Sequence, residues 1–274
     1  MTRLLFIGDI VGRPGRELIR RGLPAIVADR RIDLVIANTE NAAAGFGITP
    51  DIADDLFAYG IQVMTGGNHT WDTKEILPYI ANQPRLLRPA NLPAGAPGQG
   101  RYVTRTASGV SVGVVNVMGR VFMVPIDDPF RVALAEVEAL RDEAQIILVD
   151  FHAEATSEKV AMGWHLDGRV AAVVGTHTHV QTADDRILPR GTAYITDVGM
   201  TGPHDSVIGV ERSAVIQRFL TGLPQRFETA TENPRISGVV IDADEATGRA
   251  TAIERLSLSA QDVEQLVAQP SAAR

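Results

Sequence analysis

Leu4-Leu5-Phe6-Ile7-Gly8-Asp9, an amphipathic stretch over about 13–29, then Asp33-Leu34-Val35-Ile36-Ala37: the chain opens as strand, helix, strand. A short, wholly apolar run closed by a charged residue reads as a strand buried on both faces. The alternation continues through Gln62–Met64, Val110–Val117, Ile146–Val149, Ala171–Val174 and Ala193–Ile195. Helices are expected between them, over about 50–59, 129–143, 157–166 and 211–221. Pro129, followed by Val132, Leu134, Val137 and Leu140, has the form of a helix start. Such alternation predicts an α/β domain built in layers. Beyond about residue 220 the character changes. Ser237–Ile241 and Ala250–Leu256, split by Asp242–Gly248, predict a terminal hairpin, with a short helix after it near 260–268. Residues 89–100, which include Pro89, Pro93 and Pro97, read as a surface loop or crossover, so residues 1–274 are expected to form a single domain.

The 274 residues are 45% hydrophobic and 22% charged, which fits a folded globular chain and argues against whole-chain disorder. No apolar run approaches the ~20 residues of a bilayer span, and the opening run is too short for a signal-peptide core. Cytoplasmic residence, away from any membrane, is therefore the expected location. The absence of cysteine excludes disulfides, thiolate nucleophiles and thiolate metal sites. A net charge of −7 argues against a broad basic face for nucleic acid, though not against a nucleotide held in one pocket. Of the 26 basic residues only Lys74 and Lys159 are lysines.

The polar residues that matter follow the strands. Asp9 closes the first, Glu40-Asn41 follow the second, Asn68-His69 the third, His152 the Ile146–Val149 run, and His177 and His179 the Ala171–Val174 run. In open α/β sheets ligands bind beyond the carboxyl ends of strands, so these segments converge on one edge. Carboxylates, carboxamide oxygens and imidazoles together suit Mn, Fe, Zn or Co better than Mg or Ca. Seven such donors exceed one tetrahedral ion. They fit two ions about 3.5–4 Å apart bridged by one carboxylate, the arrangement that activates water for in-line attack on phosphorus.

Gly8-Asp9, Asn38-Thr39-Glu40-Asn41, Gly67-Asn68-His69, the solitary His152 and Thr176-His177-Thr178-His179 resemble the ordered blocks of calcineurin-like metallophosphoesterases. Segments 66–72, 87–92, 150–158, 175–182 and 196–203 are further similar to the bacterial YmdB-type subgroup, over most of residues 1–213. The resemblance implies a layered sandwich of mixed β-sheets flanked by helices. It also implies a metal-dependent phosphodiesterase acting on cyclic nucleotides, with 2′,3′-cyclic forms favoured. Its cofactors would be two divalent or trivalent transition-metal ions, iron or manganese first and zinc next. By the same resemblance Asp9, Glu40, Asn41 and His179 would hold one ion. Glu40, Asn68, His152 and His177 would hold the other, with Glu40 as the bridge. His69 would be the catalytic histidine, near the metals without binding them.

Two blocks depart from the wider superfamily: Asp9-Ile10-Val11 stands where Asp-x-His is usual, and Glu40-Asn41 where Gly-Asp is usual. Asn41 could supply an oxygen in place of the missing imidazole. Asp72 could orient His69 or cap a helix starting near Thr73, the cap being favoured. His165 reads as helix-end packing and His204 as a loop residue near the site. The amides of Gly12-Arg13-Pro14-Gly15 form a weak phosphate motif. Two other classes compete with the phosphodiesterase. One is a metal-dependent amidohydrolase, against which the late His-x-His counts. The other is a non-enzymatic regulatory protein that binds RNA or a protein partner. RNA enters only as a local substrate or regulatory target, and a homo-oligomer is the expected assembly.

Overall fold

The computed structural model describes residues 1–268; positions 269–274 of the expected domain lie outside it. In chain order the first part comprises β1 (Thr2–Ile7), β2 (Asp9–Ile10), α1 (Gly12–Arg30), β3 (Leu34–Asn38), α2 (Pro50–Ala58), β4 (Val63–Thr65) and α3 (Ile76–Ile80). There follow β5 (Arg101–Arg105), β6 (Ser111–Met118), α4 (Pro129–Leu140), β7 (Ile146–His152), α5 (Thr156–Leu166), β8 (Ala172–Thr176), β9 (Arg186–Ile187) and β10 (Ala193–Ile195). The chain closes with β11 (Met200–Pro203), α6 (Arg212–Thr221), β12 (Pro234–Ala243), β13 (Ala250–Ser259) and α7 (Ala260–Ala268).

Two mixed sheets result. The first runs β2-β11-β12-β1-β3-β4, with β13 paired to β12; the second runs β5-β6-β7-β8-β10-β9. β1, β3 and β4 are mutually parallel, as are β6, β7, β8 and β10. The period-two alternation of β1 assigns its faces. Leu4 and Phe6 join Ile36, Val114, Leu148 and Val174 in a buried layer between the sheets. Leu5 and Ile7 turn outward against α1, where Leu18, Ile19 and Leu23 cover them. On the far side Val149 and Phe151 of β7 pack under Val137 of α4 and Met162 of α5. The molecule is thus a helix–sheet–sheet–helix sandwich, as the family resemblance implied.

Helix starts follow local chemistry. Thr49 Oγ1 accepts from Ile52 N, and Asp128 Oδ1 accepts from Phe130 N and Arg131 N, each cap followed by proline. α4 stops at Leu140, short of the expected 143. The terminal hairpin is longer than expected, and its β12 lies inside the first sheet, antiparallel to β1. Residues 89–100 do cross from the first sheet to the second, but they are not purely superficial. Asn91 is buried and donates to the carbonyls of Met118 and Asp127. Among the described residues no helix is long and apolar enough to cross a membrane.

Candidate metal centre

Along the face between the sheets, each central strand is apolar first and polar last. Ile146 and Leu148 of β7 sit in the shared core, and the same alternation brings Asp150 and His152 to that face at the carboxyl end. Asn38 of β3, Thr65 of β4 and Thr176 of β8 end their strands alongside, all buried. The Thr65 and Thr176 hydroxyls donate to Asp150 at 2.5 and 2.7 Å, and Asn38 Nδ2 donates at 3.3 Å. Burial pushes the Asp150 carboxyl up to about 7. With its O–H directed to Asp150, Thr176 Oγ1 is left to accept from His152 Nδ1 at 2.9 Å. The other ring nitrogen, Nε2, then faces Glu40 Oε1 and Asn68 Oδ1, each at 3.0 Å, and His177 Nδ1 at 3.1 Å.

The other two imidazoles are held the same way. His177 Nε2 lies 3.0 Å from Glu154 Oε2, and His179 Nδ1 donates to the Ile208 carbonyl at 2.8 Å, leaving its Nε2 3.8 Å from Asp9 Oδ1. One ring nitrogen tied to an outer partner and the other turned inward is how metal-binding histidines are oriented. Glu40, His152 and His177 each place a donor atom within 4.8 Å of the others. Glu40 Oε2 also accepts the His69 backbone N–H at 2.8 Å.

Two buried oxygens here, Asp9 Oδ1 and Asn41 Oδ1, have no hydrogen-bond partner. A desolvated oxygen left unpaired is costly, and a cation would satisfy both. Gly67 leaves the room: a Cβ there would stand 2.3 Å from His152 Cδ2 and 2.4 Å from Glu40 Oε2. The donor set therefore fits a metal. The electrostatics of the metal-free chain agree. Burial alone would raise Glu40, but the adjacent His152 outweighs it and holds the carboxyl below its usual range. Burial would likewise lower His152, yet Glu40, Asp9 and Asp150 raise it. Burial, then the charge of His152, pushes His177 down to about 3, so that imidazole is neutral and free to donate its lone pair.

His69 stands at the mouth. Its Nδ1 is 2.7 Å from Asp72 Oδ2 and its ring meets Phe46 edge-on at 5.1 Å. Glu40, Asn41, His69, His177 and His179 line one cleft, with Asp9 and His152 fully buried at its base.

All eight sequence-selected residues are brought together, but several local expectations are corrected. Asp9 does not close β1; after Gly8 it opens β2 and pairs with Met200 of β11. A Cβ on Gly8 would fall 1.9 Å from the Gly199 carbonyl oxygen, so the close approach of that strand requires glycine here. Asp72 caps no helix, because α3 begins at Ile76; its carboxylate holds His69 instead. The Gly12 amide is taken by the Asn41 carbonyl at 2.9 Å and is not offered to a phosphate. His165 packs at its helix end against Phe130, its Nε2 facing that residue's carbonyl oxygen at 3.2 Å. His204 follows β11 in a loop and contacts the Gly202 carbonyl. Sequence reasoning passed over Asp150 and Glu154, which flank His152. An acid inside an otherwise apolar strand, on the same face as a histidine, was the signal for Asp150.

The family profile described as YmdB-like protein matches residues 5–256. The chain is 51% identical over 257 residues to the 2′,3′-cyclic-nucleotide 2′-phosphodiesterase of Bacillus subtilis (strain 168), spanning 94% of this chain and 97% of that protein. A crystal structure of a hypothetical protein from Thermus thermophilus superposes with a TM-score of 0.88 at 44% identity, covering 94% of this chain and 99% of that one. A crystal structure of a phosphatase from Mycoplasma pneumoniae gives 0.88 at 35% identity, covering 94% and 93%. With the profile spanning nearly all of the chain, and the strand-end residues that carry the likeness gathered in one cleft, this chain belongs to the YmdB-like protein family.

Proposed function

We propose that this chain is a metal-dependent phosphodiesterase that opens cyclic nucleotides, the 2′,3′-cyclic forms in preference. The observation that carries this is the convergence of Glu40, Asn68, His152 and His177 donors beside two orphaned oxygens, with an aspartate-held histidine at the cleft mouth. The substrate class is supported by the name of the Bacillus subtilis relative. Asp9, Glu40, Asn41 and His179 would hold one ion, and Glu40, Asn68, His152 and His177 a second, with Glu40 shared. Mixed nitrogen and oxygen donors favour iron or manganese, with zinc next.

When bound, such ions supply Lewis acidity and make a water acidic enough to furnish a nucleophile near neutral pH. The rest falls to the chain. Water adds to phosphorus, one P–O bond to ribose breaks, and the departing oxygen needs a proton. His69, with Nδ1 held by Asp72, offers Nε2 to that oxygen. Two divalent cations against Asp9 and Glu40 leave a modest positive charge, which suits a singly charged diester better than a dianionic monoester. Ring strain in the five-membered phosphate favours its opening further.

The test is turnover by Mn²⁺- or Fe²⁺-loaded protein, with metal analysis alongside. Two ions per chain are expected. So is a kcat/KM for adenosine 2′,3′-cyclic phosphate above those for the 3′,5′ isomer and p-nitrophenyl phosphate. Asp9→Asn should lose most activity. Equal or better use of p-nitrophenyl phosphate would overturn the diester preference. Turnover of amides alone would indicate an amidohydrolase. Low rates that match in the parent and Asp9→Asn, with folding intact, would indicate a regulatory role.

A further inference from the structure

Lys159 and Asp197 form an ion pair of 2.7 Å whose side chains are 1% and 0% exposed, behind the His177-Thr178-His179 segment. Lysine is scarce here, and this one is placed where a charge is hardest to keep. A buried pair roughly breaks even in stability against apolar packing, so its use must lie elsewhere. Its hydrogen bonds show where. Asp197 Oδ2 also accepts from Thr178 twice, from the backbone N–H at 3.0 Å and from Oγ1 at 2.7 Å, while Oδ1 accepts from Gly199 N at 2.8 Å. Thr178 is the middle residue of His177-Thr178-His179. Both histidines have left-handed backbones, φ 98° and 64°, where a side chain is strained. Such conformations persist only where the surroundings over-determine them. The doubly held Thr178 supplies that constraint, and Lys159 Nζ, donating to the same Asp197 Oδ2 at 2.7 Å, fixes the acceptor in place.

We propose that Lys159 and Asp197 are positioning residues. Through Thr178 they set the separation and aim of the His177 and His179 imidazoles, one toward His152 and the other toward Asp9. This rests on the reading of those two histidines as metal ligands. The pair joins α5 to the segment after β10, so it clamps the histidine loop between two elements that contribute no ligand themselves.

The test uses the full chain with Mn²⁺, binding being read by the loss of the free-ion electron paramagnetic resonance signal. Thr178→Val removes only the hydroxyl bond, and Thr178→Ser restores it. The double variant Lys159→Met with Asp197→Asn removes both charges and strands neither. Expected are Mn²⁺ affinities about 10–100-fold weaker in Thr178→Val and the double variant, the usual effect of losing an outer partner. Thr178→Ser should stay within about twofold of the parent, and far-UV circular dichroism should be unchanged. If the double variant does not fold, Thr178→Val against Thr178→Ser decides alone. Parent-like affinity in a folded Thr178→Val or double variant would overturn the proposal. No Mn²⁺ bound by the parent would instead remove the metal reading beneath it.

Discussion

His69 is tied to the site by its backbone and acts through its side chain, and the two can be separated. Its N–H serves Glu40 whatever the side chain, so His69→Ala should keep fold and metal content. If its imidazole protonates the leaving ribose oxygen, kcat should fall about 10²–10⁴-fold with KM little changed. The loss should shrink for p-nitrophenyl diesters, whose leaving group needs little protonation. A variant that loses metal would make His69 a ligand. His152 leads to a pH prediction. In the metal-free chain its pKa is raised by Glu40, Asp9 and Asp150 against the opposing effect of burial, so it holds a proton through neutrality. On the proposed ligand set, metal binding expels that proton, since a ligating imidazole is neutral. Apparent Mn²⁺ affinity should therefore rise with pH, with net proton release when calorimetry is compared across buffers. Affinity flat with pH would contradict the ion pair.

At the scale of the element, α4 offers a test remote from the chemistry. Asp128 caps it through two backbone N–H groups, which with Arg120 hold its carboxyl below the usual range. Asp128→Ala should cost about 1 kcal/mol of stability in urea unfolding and leave kcat unchanged. Because the folded-state pKa is the lower one, the contribution is complete above the unfolded-state value and fades as pH falls through the folded one. Parent and variant should converge in acid. The strongly apolar elements were plain in the sequence: β1, β3, β6, β7, β8 and β12 all stand where the runs lie. Those passed over carry weak local signals. β5 (Arg-Tyr-Val-Thr-Arg) is a half-buried edge strand with an arginine at each end, while β11 (Met-Thr-Gly-Pro) contains both residues that ordinarily break strands. β11 exists because β2 and β12 lie on either side of it, and no local pattern encodes that.

At the scale of the whole molecule, the layer between the sheets fixes where their edges meet, and so where the donors meet. Phe6 is wholly buried in that layer, three residues before Asp9. Phe6→Ala should cost about 3–5 kcal/mol, read from the urea midpoint, because the cavity has helix-backed sheets on both sides and little freedom to collapse. A cost below about 1 kcal/mol would mean the layer is not close-packed. What the sequence by itself determined is the alternation of buried strands and helices and the chemistry of each strand's end. Both are local: an apolar run closed by Asp, Asn or His records its own burial and its own polar terminus. What only the tertiary structure decided is which nitrogen of each histidine faces inward, that Asp72 holds His69 rather than a helix, and that Asp150, Glu154 and Asp197 brace the cleft histidines and the loop that carries them. Those depend on partners brought from distant positions by the packing of two sheets, and a contact across that interface leaves no periodic trace in either segment.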